Sequence, residues 1–300
     1  MPYVELLTRS LRIAWRHRWL WLLALFAAET GGGGFSSSFN AGPTNRSAQQ
    51  FNPAPAYEWI QQHAALLVAA LAALIVIWIV LFLLSCACAA ATVRGVREIE
   101  AGAPVGLGRA WELGLARYFP VLRLRLVLLL VWLVVFALLA VLAAAAGFLF
   151  IVQSWVGLVA VLSLGAALIF DTVLLGLALS ILTPIALRAA VLESATGWAA
   201  LRRAYAISMS RTGRVLACWG LMVASQLAFS VVAGIAAAAV AVPAGLAIYA
   251  AFSAGQVVAG ILGAVVLAVV LGGALIIAGA AFAAFYSTFW TLAYPHFQAG

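Results

Sequence analysis

Residues 64–93 read AALLVAALAALIVIWIVLFLLSCACAAATV. This stretch contains no charged residue, and its apolar side chains follow one another without the alternation that the strands of a membrane barrel show. A helix that crosses a bilayer needs roughly 20 apolar residues, and helices suit lipid because they satisfy their own backbone hydrogen bonds. The stretch is therefore predicted to be a transmembrane helix, and it places the chain in the all-α class.

Further runs of the same character occur along the chain, at residues 19–34, 126–150, 155–186, 215–242 and 257–290. Of the 300 residues, 67% are hydrophobic and 8% are charged, whereas about a quarter of the residues in a soluble globular chain are charged. A water-facing surface cannot be built from this composition. The sequence predicts a polytopic integral membrane protein with about six transmembrane helices.

The first run is shorter than the others, and it has two interpretations. Its uncharged part, residues 19–28, spans a bilayer only if Arg16 and Arg18 reach back to the interface or the helix continues into the glycines at 31–34. A basic start and a short apolar core also describe a secretory signal peptide, although no A-x-A cleavage site ends the run. The polar segment 30–57 that follows is rich in glycine, serine and proline, and it is predicted to be a flexible outer loop.

The arginines indicate which side of the membrane each connection faces. They lie before the first run, between the second and third runs, and between the fourth and fifth runs, whereas Arg46 alone falls in an outer connection. Because cytoplasmic connections retain arginine and lysine, both termini are predicted to be cytoplasmic, in a bacterial inner membrane. The net charge of +8 lies beside apolar runs, which favours anionic lipid over nucleic acid as the partner.

Two basic connections have the pattern of amphipathic helices that lie in the membrane interface. In the first, apolar and small side chains recur at helical spacing, at Leu107, Ala110, Trp111, Gly114, Leu115 and Tyr118. The pattern returns at Leu201, Ala204, Tyr205, Ser208, Met209 and Thr212, and more faintly at Leu7, Ser10, Leu11, Ala14 and Trp15. We call these segments elbow helices. Five of their arginines are predicted to contact lipid headgroups: Arg109, Arg117, Arg202, Arg203 and Arg211.

The elbow helices suggest an internal repeat. Arg203 is in register with Arg109, and Arg188 with Arg94, at the same offset of 94 residues. We interpret the chain as a single membrane domain, 1–300, made of three pseudo-repeats of an elbow helix and a hairpin of two spans, approximately 1–93, 94–187 and 188–300. A chain rich in leucine and alanine also matches itself by chance, so this alternative stays open.

The segment 183–216 has a recognisable order of residues. Pro184 lies near the end of an apolar run, Glu193 comes nine residues later, and the elbow helix follows. That helix contains, in order, Gly197, Ala200, Leu201, Arg202, Arg203, Ala204 and Tyr205. This order resembles the membrane domain found ahead of some bacterial glycerophosphodiester phosphodiesterases, and related uncharacterised multi-spanning families, with 102–122 as the matching first-half segment.

This resemblance implies a six-span fold and no established activity for the membrane part. The chain departs from the pattern at Ala204, where such families often have serine. A phosphodiesterase barrel would need ~250 further residues, so its activity is not expected here.

Motifs for catalysis and metal binding do not occur in the sequence. It has no H-E-x-x-H zinc motif, no G-x-S-x-G nucleophile elbow and no phosphate loop that ends in Lys-Ser or Lys-Thr. We therefore expect no catalytic residue, no metal site and no cofactor.

Asp171 is the one acid inside a long apolar run, and an intramembrane carboxylate is by default a functional hypothesis. It lies seventeen residues from Arg188, which is ~25 Å along a helix and close to the far edge of the bilayer core. A carboxylate at that depth can reach water, so a structural role without function is the competing interpretation.

The last apolar run carries small residues at every fourth position, namely Gly260, Ala264, Ala268 and Gly272. This spacing lets helix backbones approach closely. It favours packing against another span of the same chain over a homodimer seam.

These features predict a non-catalytic scaffold or accessory protein that contacts anionic lipid, or a membrane protein partner, through its elbow helices. The alternative is a transporter or lipid-handling protein with a site between the repeats. Pro184 and Pro243 favour that alternative, because interrupted spans border the cavities of such proteins. An intramembrane enzyme is the third hypothesis, and it lacks a set of acid, base and nucleophile.

Overall fold

The computed structural model describes residues 3–27, 29, 59, 61–151 and 155–298. Within them the chain forms helices and no strand, which confirms the predicted all-α class. The helices are α1 (Tyr3–Arg16), α2 (Trp19–Ala27), α3 (Ala64–Glu100), α4 (Leu107–Leu115), α5 (Tyr118–Ile151), α6 (Trp155–Leu192), α7 (Gly197–Ser210), α8 (Thr212–Ser253) and α9 (Val257–Gln298).

Five of these helices, α3, α5, α6, α8 and α9, are long and apolar enough to cross a membrane. The chain is therefore a multi-pass α-helical membrane protein. Of the first predicted span, 19–34, the described part is α2 and Glu29, and the rest lies outside the described residues. The predicted loop 30–57 and Arg46 lie outside them too, so a sixth span and the three-hairpin layout remain predictions.

Three of the spanning helices extend beyond the apolar runs from which they were predicted. Helix α3 ends at Glu100 rather than near 93, α5 begins at Tyr118 rather than near 126, and α6 ends at Leu192 rather than near 186. The runs were bounded by the first arginine, but arginine is a good helix former and does not end a helix. Several arginines assigned to connections therefore lie on the spanning helices.

A left-handed glycine ends α3, where the chain turns toward the elbow helix α4. Gly102 has φ +81°, a conformation that costs glycine little because it has no Cβ. The backbone N–H of Gly102 donates to Ile99, and that of Ala103 donates to Glu98. These two bonds satisfy carbonyls that the end of the helix would otherwise leave without donors.

The protein core lies at one end of the bundle, where α3 and α6 end and α5 and α8 begin. We call this the basic end. Buried side chains occupy 85–96 of α3, 185–191 of α6 and most of 280–297 of α9. Toward the opposite end, every residue from 64 to 81 of α3 is exposed. Apolar surface of this extent is stable against lipid tails rather than water.

The elbow helices dock on this core through small side chains. Helix α4 packs on α3, α7 packs on α6 and α5, and α1 packs on α9. Their buried residues are Leu6, Ser10 and Ala14 on α1, Ala110 and Gly114 on α4, and Gly197, Ala200, Ala204, Ile207 and Ser208 on α7. Larger side chains expected on the same faces, such as Trp15 and Tyr205, are exposed instead. The docked faces are thus narrower than the predicted ones, because helices approach most closely where side chains are small.

The long helices also pack in sequence-neighbouring pairs. Helix α5 packs on α6, α8 packs on α9, and α2 packs on both α3 and α9. Helices α6 and α8 make little contact with each other. A space is left between these two helices, and it contains the cavity described below.

We expect Gly114→Ala to destabilise the protein. A Cβ at Gly114 would lie 2.6 Å from the backbone nitrogen of Ala91 on α3, and overpacking of this kind costs about 1–3 kcal/mol. Thermal unfolding in detergent measures the effect. The matched control is Gly108→Ala in the same helix, where a Cβ would meet nothing within 4 Å. If both variants melt at the wild-type temperature, α4 does not dock on α3 as described.

Candidate functional site

A buried ion pair joins the end of α2 to α6. Arg188 is fully buried near the end of α6, and its Nη2 donates to Glu29 Oε2 at 2.7 Å. The Glu29 side chain is 5% exposed. An ion removed from water loses several kcal/mol of hydration, so each of these charges needs the other in order to remain buried.

Helices α6 and α9 hold the rest of the Arg188 guanidinium. Nη2 also donates to the backbone oxygen of Ser287 at 2.9 Å and to its Oγ at 3.1 Å. Nη1 donates to the carbonyl oxygen of Pro184 at 3.1 Å, one helical turn away. The guanidinium therefore ties together α2, α6 and α9 at one point.

The ion pair is held by a single hydrogen bond, from Arg188 Nη2 to Glu29 Oε2, and two of its other polar atoms are left unsatisfied. Arg188 Nε and Glu29 Oε1 are buried and have no hydrogen-bond partner within the described part of the chain. A side-on pair with two parallel hydrogen bonds would have satisfied both atoms. Buried unsatisfied polar atoms are rare in native proteins, and they are often found at functional sites.

A second arginine, Arg125 of α5, lies close to the same point. It is half-buried, its Nη1 donates to Ser85 Oγ on α3, and its Nη2 donates to the carbonyl oxygen of Ala27 at the end of α2. Ion pairs between described residues join Arg97 to Glu100, Arg188 to Glu29 and Arg203 to Glu193. Arg125 has no carboxylate partner among the described residues, so its charge is not neutralised there.

These charged groups border a cavity of about 580 Å³ between α5, α6 and α8. Three of its lining residues have acidic or basic side chains, namely Glu29, Arg125 and Arg188. The uncharged lining residues are Leu124, Leu128, Trp132, Gly176, Leu179, Ser180, Thr183, Pro184, Leu187, Trp219, Met222, Val223, Gln226 and Tyr286. A volume of this size is typical of small-molecule sites.

The cavity changes in character along the helices. At 1.5 Å per residue, it extends from about 6 Å to about 24 Å from the basic end of α6, between Arg188 and Gly176. The charges lie at the shallow end, and the deeper part is mostly apolar but also includes the polar side chains of Ser180 and Gln226. One deep polar contact is Trp219, whose Nε1 donates to Ser180 Oγ at 3.2 Å.

The arginines predicted to contact lipid lie outside this cavity, on the surface of the basic end. Arg109, Arg202 and Arg203 are exposed, whereas Arg117 and Arg211 are half-buried. Arg117 donates to Ser194 Oγ in the turn that precedes α7. Arg203 Nε lies 3.4 Å from Glu193 Oε2, so an ion pair joins α7 to the turn that precedes it.

The intramembrane acid and the small-residue stripe also lie away from the cavity. Asp171 is exposed on α6. Gly260 is buried against Phe252, whose ring would be 2.8 Å from a Cβ at that position. Gly272 is half-buried, and Ala264 and Ala268 are exposed, so a tight contact of this stripe within the chain is present at Gly260.

Sequence reasoning missed the residues that the structure brings together. Glu29 fell near the end of the first predicted span, 19–34, and Arg125 and Arg188 were assigned to the connections at the basic end. One signal was present for Arg188, since it is a single charge in the otherwise uncharged stretch 184–192. For Glu29 no sequence signal pointed to a contact with α6.

The fold and the cavity define the class of this protein. It is a multi-pass helical membrane protein with a cavity beside its core, and charged side chains border that cavity. In comparisons with protein-family models, with curated proteins and with solved structures, the chain matches none of them. The resemblance to the phosphodiesterase-associated membrane domain therefore remains a proposal.

We expect Arg188→Met to be far more destabilising than Arg203→Met. Removal of one partner from a buried pair strands the other charge and costs about 3–5 kcal/mol, whereas the more exposed Arg203–Glu193 pair should contribute about 0–1 kcal/mol. The double variant Arg188→Met/Glu29→Leu should recover part of the loss, because it leaves no buried charge. Thermal unfolding in detergent gives the comparison, and equal losses for the two single variants would contradict a buried pair.

Proposed function

We propose that this chain is a lipid-handling membrane protein that binds an amphiphile in the cavity between α5, α6 and α8. The observation that carries the proposal is the separation of charge from apolar surface inside the cavity. Arg125, Arg188 and Glu29 border its shallow end, and mostly apolar side chains line the deeper part. A lipid has the same separation between its headgroup and its acyl chains.

The location of the cavity supports this function over transport of a soluble solute. Helices α6 and α8 make little contact, and Ser180, which lines the cavity, is exposed. A lipid could therefore enter from the side without leaving the bilayer. A soluble solute would need a polar path through the deeper part, where Ser180 and Gln226 lie among mostly apolar side chains.

The proposed role is binding rather than bond cleavage. Among the described residues that line the cavity there is no histidine, cysteine or aspartate, so the usual proton carriers and nucleophiles are limited to Glu29 and hydroxyl groups. Glu29 is engaged by Arg188. These lining residues support binding over catalysis as the proposed role.

We further propose that the protein lies in a bacterial inner membrane with both termini in the cytoplasm. It consists, in this proposal, of three pseudo-repeats. The contacts of the elbow helices support the repeats. Each elbow packs on the last helix of another proposed unit, with α4 on α3, α7 on α6 and α1 on α9. This pattern is cyclic, as expected of three related units that close on one another, and it puts the cavity between the second and third units.

We expect Gly176→Leu to reduce the amount of lipid that co-purifies with the protein. Gly176 lines the cavity, and a Cβ there would lie 3.7 Å from the Trp132 ring, so the backbone accepts the new side chain while the remaining atoms take up cavity volume. Native mass spectrometry of the detergent-purified chain measures bound lipid.

The matched control is Gly165→Leu on the same helix, where a Cβ would meet nothing within 4 Å. This control should retain lipid at the wild-type level. If Gly176→Leu retains as much lipid as Gly165→Leu while both remain folded, the cavity is not the binding site.

A scaffold that contacts anionic lipid or a partner protein through its elbow helices is the second candidate. It is favoured by exposed arginines beside exposed apolar side chains on α7, where Trp198 is 70% exposed and Met209 is 59% exposed. Such a surface suits the boundary between headgroups and acyl chains. This role does not require the cavity.

Changing Arg202, Arg203 and Arg211 together to Gln tests the second candidate. Each arginine near an anionic surface contributes about 1 kcal/mol of attraction, so the variant should retain less surface-bound anionic lipid. Lipid in the cavity should be unchanged, because none of the three arginines lines it. Unchanged total lipid in the purified variant would count against the elbow contacts.

A further inference from the structure

The positive and negative side chains that line the cavity are unequal in number. Two arginines and one glutamate of the described residues line it, so among those residues one positive charge has no carboxylate partner. The Arg188–Glu29 pair accounts for one charge of each sign at 2.7 Å. The unneutralised charge therefore belongs to Arg125.

Arg125 is placed to meet a ligand. It is half-buried rather than fully buried, and its two hydrogen-bond acceptors, Ser85 Oγ and the carbonyl oxygen of Ala27, are both uncharged. A guanidinium offers five N–H donors in a planar fork that matches two oxygens of a carboxylate or a phosphate. Its neutral acceptors hold the group in place and leave donors and a full charge for the cavity.

We propose that the cavity selects an amphiphile whose head carries one negative charge on an oxyanion, and that Arg125 is the residue that binds it. The phosphodiester of an acidic glycerophospholipid and the carboxylate of a fatty acid both have this chemistry. Arg188 and Glu29 are positioning residues, because their pair fixes the end of α2, whose Ala27 carbonyl oxygen accepts from Arg125. This inference rests on the proposed lipid-handling function.

The single unpaired positive charge at the cavity disfavours lipid headgroups with two negative charges and zwitterionic headgroups. A head with two negative charges would leave one of them without a partner beside apolar walls, where electrostatic interactions are stronger than in water. A zwitterionic head brings its own cation and leaves Arg125 without a net counter-charge. The covered and already paired carboxylate of Glu29 is a poor partner for that second cation.

The test uses the full-length chain in nanodiscs, with retained lipid identified by native mass spectrometry after transfer to detergent. Equimolar phosphatidylglycerol and phosphatidylethanolamine compare a singly charged head with a zwitterionic head. Added oleate tests the carboxylate. Phosphatidate at pH 8.5 supplies a phosphomonoester with a charge near −2, since the second pKa of such a group is about 6.

The wild-type chain should retain phosphatidylglycerol over phosphatidylethanolamine by about five-fold or more, the factor that corresponds to about 1 kcal/mol per charge. Arg125→Gln should reduce that ratio to near one, and Arg125→Lys should restore most of it. Glu29→Gln should shift retention toward phosphatidate, because the cavity then holds two positive charges. Asp171→Asn is the control and should leave every ratio unchanged, since Asp171 does not line the cavity.

The outcomes separate this inference from the proposed function. Absence of retained lipid in the wild-type chain would overturn both. Retained lipid with equal amounts of the two phospholipids, or an Arg125→Gln variant with the wild-type ratio, would overturn the selectivity and leave lipid binding intact. If Glu29→Gln does not fold, as judged by thermal unfolding, the Arg125→Gln and Arg125→Lys pair decides the question. Preference for oleate over phosphatidylglycerol would identify the carboxylate as the source of the oxyanion.

Discussion

The buried charge of Arg188 constrains the architecture around it. A guanidinium with no exposure to solvent cannot be stable among alanines and leucines unless acceptors surround it, and here they come from α6, from α9 and from Glu29, two residues beyond the end of α2. Glu29 must therefore lie beside α6, and Ser287 of α9 must face the same point. The site couples the end of α2 to the core of the protein, although 159 residues separate Glu29 from Arg188 along the chain.

Arg125 of α5 also holds the end of α2. Its hydrogen bond to the carbonyl oxygen of Ala27 is at the carboxyl-terminal end of α2, where helix carbonyls lack partners and the helix dipole favours a cation. The end of α2 is thus held by two arginines from two spanning helices. One of them is paired with Glu29, and the other has no carboxylate partner among the described residues, so the stabilising ion pair and the arginine that we propose to bind the ligand belong to the same cluster.

The basic end is compact because small residues allow it, and the elbow helices complete it. Gly114 and Gly197 bring α4 and α7 against the backbones of α3 and α5. Seven alanines of α3 and α6 are buried in the same core, namely Ala87, Ala89, Ala90, Ala91, Ala186, Ala189 and Ala190. Glu193 accepts hydrogen bonds from Tyr294 at 2.5 Å and from Gln298, which ties the start of α7 to the end of α9. Away from these contacts the helices present exposed apolar surface, and the cavity lies in the space between α6 and α8.

The sequence by itself determined the all-α class, the spanning character of five helices and the positions of the three elbow helices. These properties depend on local composition and periodicity: an uncharged run such as 64–93 has no alternative to a helix in lipid, and the spacing of Ala110 and Gly114 already defined a face. The tertiary structure decided the candidate site. Glu29, Arg125 and Arg188 are distant in sequence, and each by itself fits a charge near a membrane edge. Their meeting depends on the packing of α2, α5 and α6, and on the long-range pairing of buried charges, neither of which leaves a periodic signal in the chain.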